Sequence, residues 1–180
     1  MAVPATYTTL DLSGKCTMNK TLTDQSALDA VLKLQGVGML KRKAVGLAAP
    51  TMRIRHFTNA AGVEQLEIEQ VGVLRLGESA AVDVDREDQR VAAPWYRRGA
   101  HERGELGDAF LESGWTAETL EHGLIEAEMR GGDAKWTFVQ TWAVEEVNNG
   151  ERRHVRHARC TGPKGKVIEM KFVYDYAGSL

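Results

Sequence analysis

His56, His101, His122, His154 and His157 are the side chains of this sequence best suited to proton transfer near neutral pH. His101 stands between Arg98 and Arg103, where a solvated role is expected. His154 and His157 are three residues apart in a run of strand character, so they belong to opposite faces and at most one can point inward. Their neighbours Arg153, Arg156 and Arg159 mark that strand as a basic surface. His56 continues the alternation Met52-Ile54-His56 and so can reach an interior, as an acid or base or as a hydrogen-bonded histidine at a rim. Asp83, Asp85 and Glu87 alternate like an outward strand face, and a one-residue slip would turn them inward as acid or base candidates. No His-Glu-x-x-His spacing and no Gly-x-Ser-x-Gly elbow occurs. Gly36-Val37-Gly38 lacks the extension and Lys-Ser/Thr ending of a phosphate loop. No metal and no cofactor are therefore expected.

These side chains must be positioned by a mainly β framework with two early helices. Leu10 to Thr21 reads as a first strand. Thr23 or Asp24 can cap a helix carrying Leu28, Val31, Leu32 and Gln35 at helical spacing, which Gly36-Val37-Gly38 ends. A second helix, about Met39 to Leu47, is expected to turn Met39, Leu40, Ala44 and Leu47 inward, with Lys41 and Arg42 toward solvent. Pro50 closes it. From Thr51 to Thr58 and from Val63 to Leu74 the period is two, the mark of antiparallel strands with one wet face. Residues 79–92 suggest two short strands, and residues 94–122 form an extra segment, whether a second lid, a dimer contact or a long loop. Strands return over Gly123–Arg130, Trp136–Val147, Arg152–Thr161 and Lys166–Tyr176, joined by Gly-Gly-Asp, Asn-Asn-Gly and Gly-Pro-Lys-Gly turns. The expected fold is a roughly ten-stranded antiparallel β-barrel with a helix-turn-helix lid over residues 24–48. Residues 1–180 are read as one domain.

Charge narrows the function classes. With 23 basic and 25 acidic residues the net charge is −2, which supplies no basic field for nucleic acid. Cys16 and Cys160 are too few for a disulfide scaffold. The first residues lack a basic-then-apolar leader, and no long uncharged apolar run occurs, so a cytoplasmic, soluble protein without stable membrane insertion is expected. Lys41, Arg42 and Lys43 form a basic cluster that suits transient contact with acidic lipids or an ordinary solvated face. Trp95, Trp115, Trp136 and Trp142 suit a packed core or the wall of a ligand cavity.

The run LDAVLKLQGVGMLKRKAVGLAAPTMRI, from Leu28 to Ile54, resembles the lid and second strand of the fatty-acid-binding proteins, a branch of the calycin (lipocalin-like) superfamily. The likeness continues more loosely through Leu66–Gln70, Gln140-Thr141-Trp142 and Met170–Tyr176. The chain is also similar to small fungal calycin-type proteins that share its Gly150-Glu151-Arg152-Arg153 hairpin and Val173-Tyr174-Asp175-Tyr176 ending. The resemblance implies that Leu28 and Leu32 face a ligand from the lid, followed by Pro50, Met52, Ile54 and His56 on the next wall. It further implies Leu66, Ile68 and Gln70, then Trp136, Phe138, Gln140 and Trp142, and finally Met170, Phe172 and Tyr174.

One departure bears on the guest. Members of that family end on an Arg-x-Tyr pair that holds a carboxylate, whereas here Phe172 precedes Val173-Tyr174. No second inward arginine is evident, with Gln140 the nearest candidate, so Gln70, Gln140 and Tyr174 suit an uncharged, apolar molecule. Two functions follow as expectations. One is a carrier of a hydrophobic, uncharged small molecule. The other is a cofactor-independent cyclase, isomerase or pericyclase of secondary metabolism, with His56, Gln140 and Tyr174 as catalytic groups acting by positioning and hydrogen bonding. Oligomeric state is not legible.

Overall fold

The computed structural model describes residues 1–71, 107–131 and 135–180, and the backbone of residues 95–98. Twelve elements follow in order: β1 (Gly14–Met18), α1 (Gln25–Leu34), α2 (Met39–Leu47), β2 (Thr51–Thr58), β3 (Glu64–Val71), β4 (Trp95–Arg98), α3 (Ala109–Glu112), α4 (Ala117–His122), β5 (Leu124–Arg130), β6 (Thr137–Val147), β7 (Glu151–Thr161) and β8 (Val167–Gly178). The strands form one antiparallel sheet in the order β3-β2-β1-β8-β7-β6-β5-β4. The described residues thus give eight strands where about ten were expected. The strands expected within 79–92 lie outside the described residues.

The sheet curls. Arg156 on β7 touches the sulfur of Met52 on β2, although three strand spacings, about 14 Å in a flat sheet, separate them. The outcome is a half-barrel whose concave face carries Cys16, Met18, Met52, Ile54, Leu66, Ile125, Phe138, Trp142, Ala158 and Met170 in one buried cluster. The period-two pattern produces this face because each strand places alternate side chains on it. The β6–β7 hairpin sets the deepest part of the register: Asn148 and Asn149 adopt positive φ (44° and 68°), as an Asn-Asn-Gly turn permits.

Both early helices form where the spacing puts them. Asp24 caps α1 by accepting from Ser26 N and Ala27 N, both at 2.9 Å. The backbone bond from Ala27, then the Ser26 hydroxyl, hold the exposed Asp24 carboxyl below its ordinary value. At the other end Gly36 takes φ +83°, with Gly36 N bonded to Lys33 O and Val37 N to Leu32 O, a Schellman closure that needs a left-handed residue. Leu28 and Val31 enter the concave cluster.

The outward face of α2 corrects the sequence expectation. Met39, Leu40 and Leu47 are exposed (63%, 65% and 71%), while Arg42 turns back to bond Asp29 (2.8 Å) and Val37 O (2.9 Å). The helix approaches the fold through the buried Ala44 and through Val45, which packs against the concave cluster, and this leaves Met39, Leu40 and Leu47 in solvent.

Residues 107–122 are neither a loop nor a cover over the concave face. They pack on the convex side of β6, β7 and β8, where Trp115 joins Leu124, Ala143, Val155 and Val173 in a second buried cluster. Asp108 caps α3 and Thr116 caps α4. Thr141 Oγ1 and Trp115 Nε1 both donate to Leu111 O, at 2.8 and 3.0 Å. The sheet is therefore apolar on both faces here, which explains why His154 and His157 are both fully buried instead of forming a basic surface. Trp115→Ala is expected to cost about 3–5 kcal/mol in urea unfolding. A loss below about 0.5 kcal/mol, the size of a surface change, would show that this segment is not part of the packed fold.

Candidate functional site

Strand β7 places His154, Arg156, Ala158 and Cys160 on the concave side. Cross-strand pairing then sets Arg156 between Trp142 of β6 and Phe172 of β8, and His154 between Val144 and Tyr174. The guanidinium carbon of Arg156 lies 3.6 Å from the centroid of the Trp142 ring and 5.2 Å from that of Tyr174. Such cation–π stacking holds a guanidinium in an apolar wall without a counter-ion. Arg156 Nε has no hydrogen-bond partner, and no carboxylate among the described residues offsets its charge. Trp142 Nε1 and His154 Nε2, on rings 6.4 Å apart, are likewise buried without partners.

The N-terminal segment closes the far side of this cluster. Tyr7, buried, sets its hydroxyl 3.1 Å from His154 Nδ1 and 3.5 Å from Cys16 Sγ. Burial, with the neighbouring Cys16 adding to it, pushes the Tyr7 phenol well up, and burial also raises the Cys16 thiol and the Tyr174 phenol. Burial and then the Arg156 charge push His154 well below the ordinary histidine value. These shifts keep all four groups neutral at pH 7, so Arg156 is the charge of the cluster among the described residues. Burial also pulls Arg156 down from its ordinary value, but a guanidinium starts far enough above neutrality to stay charged. Arg156 lies against the concave cluster yet is only half-buried, so part of its surface stays accessible.

Most of the residues implied by the resemblance meet at this face. Leu28, Met52, Ile54, Leu66, Phe138, Trp142, Met170 and Tyr174 are buried in the concave cluster, with Leu32, Ile68, Trp136 and Phe172 packed against it. Gln140 is buried beside them, cross-strand from Ala127 and Ala158. Pro50 sits half-buried at the foot of β2, its carbonyl accepting from Met18 N. Two do not join. Gln70 shares the inward phase, opposite Met52, but is exposed near the end of β3. His56 has both ring nitrogens engaged: Nδ1 accepts from Leu12 N (3.2 Å), so Nε2–H donates to Glu64 (2.7 Å). That pairing makes it a tie between the N-terminal segment and β2–β3, away from the Arg156 cluster.

Arg156, His154, Tyr7 and Cys16 are the residues that sequence reasoning did not bring together. An inward arginine does exist, one strand from the position examined for it. The signal was the hairpin register: a turn centred on Asn149 pairs Trp142 with Arg156, an aromatic face opposite a cation.

The native fold holds His154 neutral, whereas the unfolded chain binds a proton there below about pH 6.5. Its stabilising contribution is therefore present above that pH and lost as pH falls, by up to about 1.4 kcal/mol per pH unit. Histidine-ring NMR should find His154 neutral at about pH 5.5; protonation in the ordinary range would contradict its enclosure. No family model matches the chain, and no curated protein matches it.

Proposed function

We propose that the chain binds a hydrophobic small molecule against the concave face of a calycin-type barrel, with Arg156 holding an acidic or strongly accepting oxygen of that molecule. The supporting observation is the uncompensated guanidinium. A half-buried cation without an anionic partner lowers stability, and an incoming anionic oxygen bonded to it would offset that cost. The expectation of an uncharged guest rested on the absence of an inward arginine, and Arg156 supplies one opposite Phe172. In this reading the protein is a cytoplasmic carrier, α1 and α2 act as its lid, and the resemblance to fatty-acid-binding proteins extends to the barrel with the cation moved by one strand.

Arg156→Met tests the reading. Binding of the sulfonate dye ANS should weaken about tenfold or more, the worth of a charged hydrogen bond, while binding of neutral Nile red is retained. The same variant should be as stable as the parent or up to about 3 kcal/mol more stable, because an unpaired charge has been replaced by an apolar side chain. Equal loss of both dyes, or retention of ANS binding, would favour the uncharged guest.

A second reading is a cofactor-independent cyclase, isomerase or pericyclase. The unpartnered Trp142 Nε1–H, a donor, and His154 Nε2 favour it, since polar atoms left without partners in the resting protein can meet charge that develops in a reaction. Tyr174→Phe and Gln140→Leu should then reduce turnover of a substrate much more than its binding. Full rate in both variants would remove these two groups from the mechanism.

For delivery, the exposed Met39, Leu40 and Leu47 with Lys41 and Lys43 form an apolar and basic face suited to brief contact with acidic lipid. Ligand transfer to phosphatidylserine vesicles should slow several-fold in the Lys41→Glu/Lys43→Glu double variant. An unchanged rate would make this an ordinary solvated face.

A further inference from the structure

The convex face holds a fully buried imidazole with no role in the concave site. His157 Nδ1 lies 2.8 Å from the carbonyl oxygen of Phe110, and His157 Nε2 lies 2.7 Å from Glu145 Oε2. Both neighbours can only accept: a peptide carbonyl carries no proton, and the Glu145 carboxylate takes a second bond, from Lys171 at 2.6 Å, on its other oxygen. Burial raises the Glu145 carboxyl, but the bonds from His157 and Lys171 outweigh it and hold the group below its ordinary value, so it is ionised. A ring that donates through both nitrogens is an imidazolium.

That imidazolium joins the sheet to the covering segment. Trp115 stacks on its ring at 4.0 Å between centroids and Phe110 tilts against it at 5.2 Å, so the segment on either side of Gly114 wraps this side chain. A Cβ at Gly114 would stand 3.2 Å from Glu145 and 3.5 Å from His157, on a backbone of φ +86° that favours glycine. We propose that residues 108–116 form a proton-dependent strap, closed on the convex face while His157 carries both ring protons and loosened when it loses one.

Charged groups stand on each element that packs around this joint. On the strap, Asp108 bonds Arg159 of β7, and Glu112 ends α3. On the sheet, Lys171 of β8 is directly opposite His157, and Glu126 of β5 lies two strands away on the same face. Carboxylates, lysine and arginine ordinarily titrate outside the neutral range, which leaves imidazoles to respond within it. Among the described residues His122, at the end of α4, is the other imidazole on this side, so the two variants below separate them. A neutral His157 can donate to Phe110 O or to Glu145 but not to both. One acceptor is then left buried and unpaired, and the strap gives way more readily than the central strand β6.

Amide hydrogen exchange of residues 109–116, corrected for intrinsic base catalysis, reads the strap directly as pH is raised. Protection should fall about tenfold or more as pH rises, with the slope of one proton, while β1–β2 amides stay constant. In His157→Gln the pH dependence should vanish. An unchanging strap in the parent, or the same transition in the variant, overturns the proposal. Should His157→Gln fail to fold, Glu145→Gln removes the anion and keeps an acceptor oxygen, so the transition must move to lower pH; an unmoved midpoint overturns the proposal equally.

Discussion

A guanidinium held by aromatic faces in place of carboxylates is the constraint around which the concave side of this protein is arranged. Arg156 rests on Trp142, borders Tyr174 and reaches Met52 across the curl. Keeping a cation there requires that its neighbours stay neutral or be polarisable, and Tyr7, Cys16, His154 and Tyr174 meet that requirement through burial. The curl is part of the same constraint. Flattening the sheet would separate Met52 from Arg156 and open the charge to water, where its field would be screened.

The strand that carries this charge also carries its convex counterpart. Arg156 and His157 are adjacent in sequence and point to opposite faces, and each carries positive charge in a different solution to burial. His157 is neutralised by Glu145, with Lys171 completing the network. Arg156 has no such partner among the described residues. One charge is thereby committed to holding the fold together, and the other is left for the ligand role proposed above. Both depend on the register of the β6–β7 hairpin, because a slip of one residue would exchange their faces.

Much of this was legible in the chain. The helix over Met39–Leu47 and the strand over Thr51–Thr58 fall where the change of period put them, and the last four strands follow the turn chemistry closely. The inward phase of Met52, Ile54, Phe138, Trp142, Met170 and Tyr174 was readable for the same reason. What escaped was tertiary. Local sequence made Arg153, Arg156 and Arg159 look like a solvated row, because nothing nearby in the chain announces that Trp115 and its segment cover one face and Tyr7 the other. His56 was in phase but was claimed by Leu12 and Glu64, partners 44 and 8 residues away. Met39, Leu40 and Leu47 of α2 face solvent because Ala44 and Val45 make its contact, a choice that helical spacing alone does not reveal.

Whether an acidic apolar guest is held at Arg156 is read most directly by side-chain N–H NMR during titration with a matched pair, retinoic acid and retinol. The acid should shift the Arg156 Nε–H and Trp142 Nε1–H signals together while the alcohol leaves Arg156 in place. Shifts of equal size with both molecules, or acid-induced shifts confined to the exposed face of α2, would rule out a guest held by its acid group at Arg156.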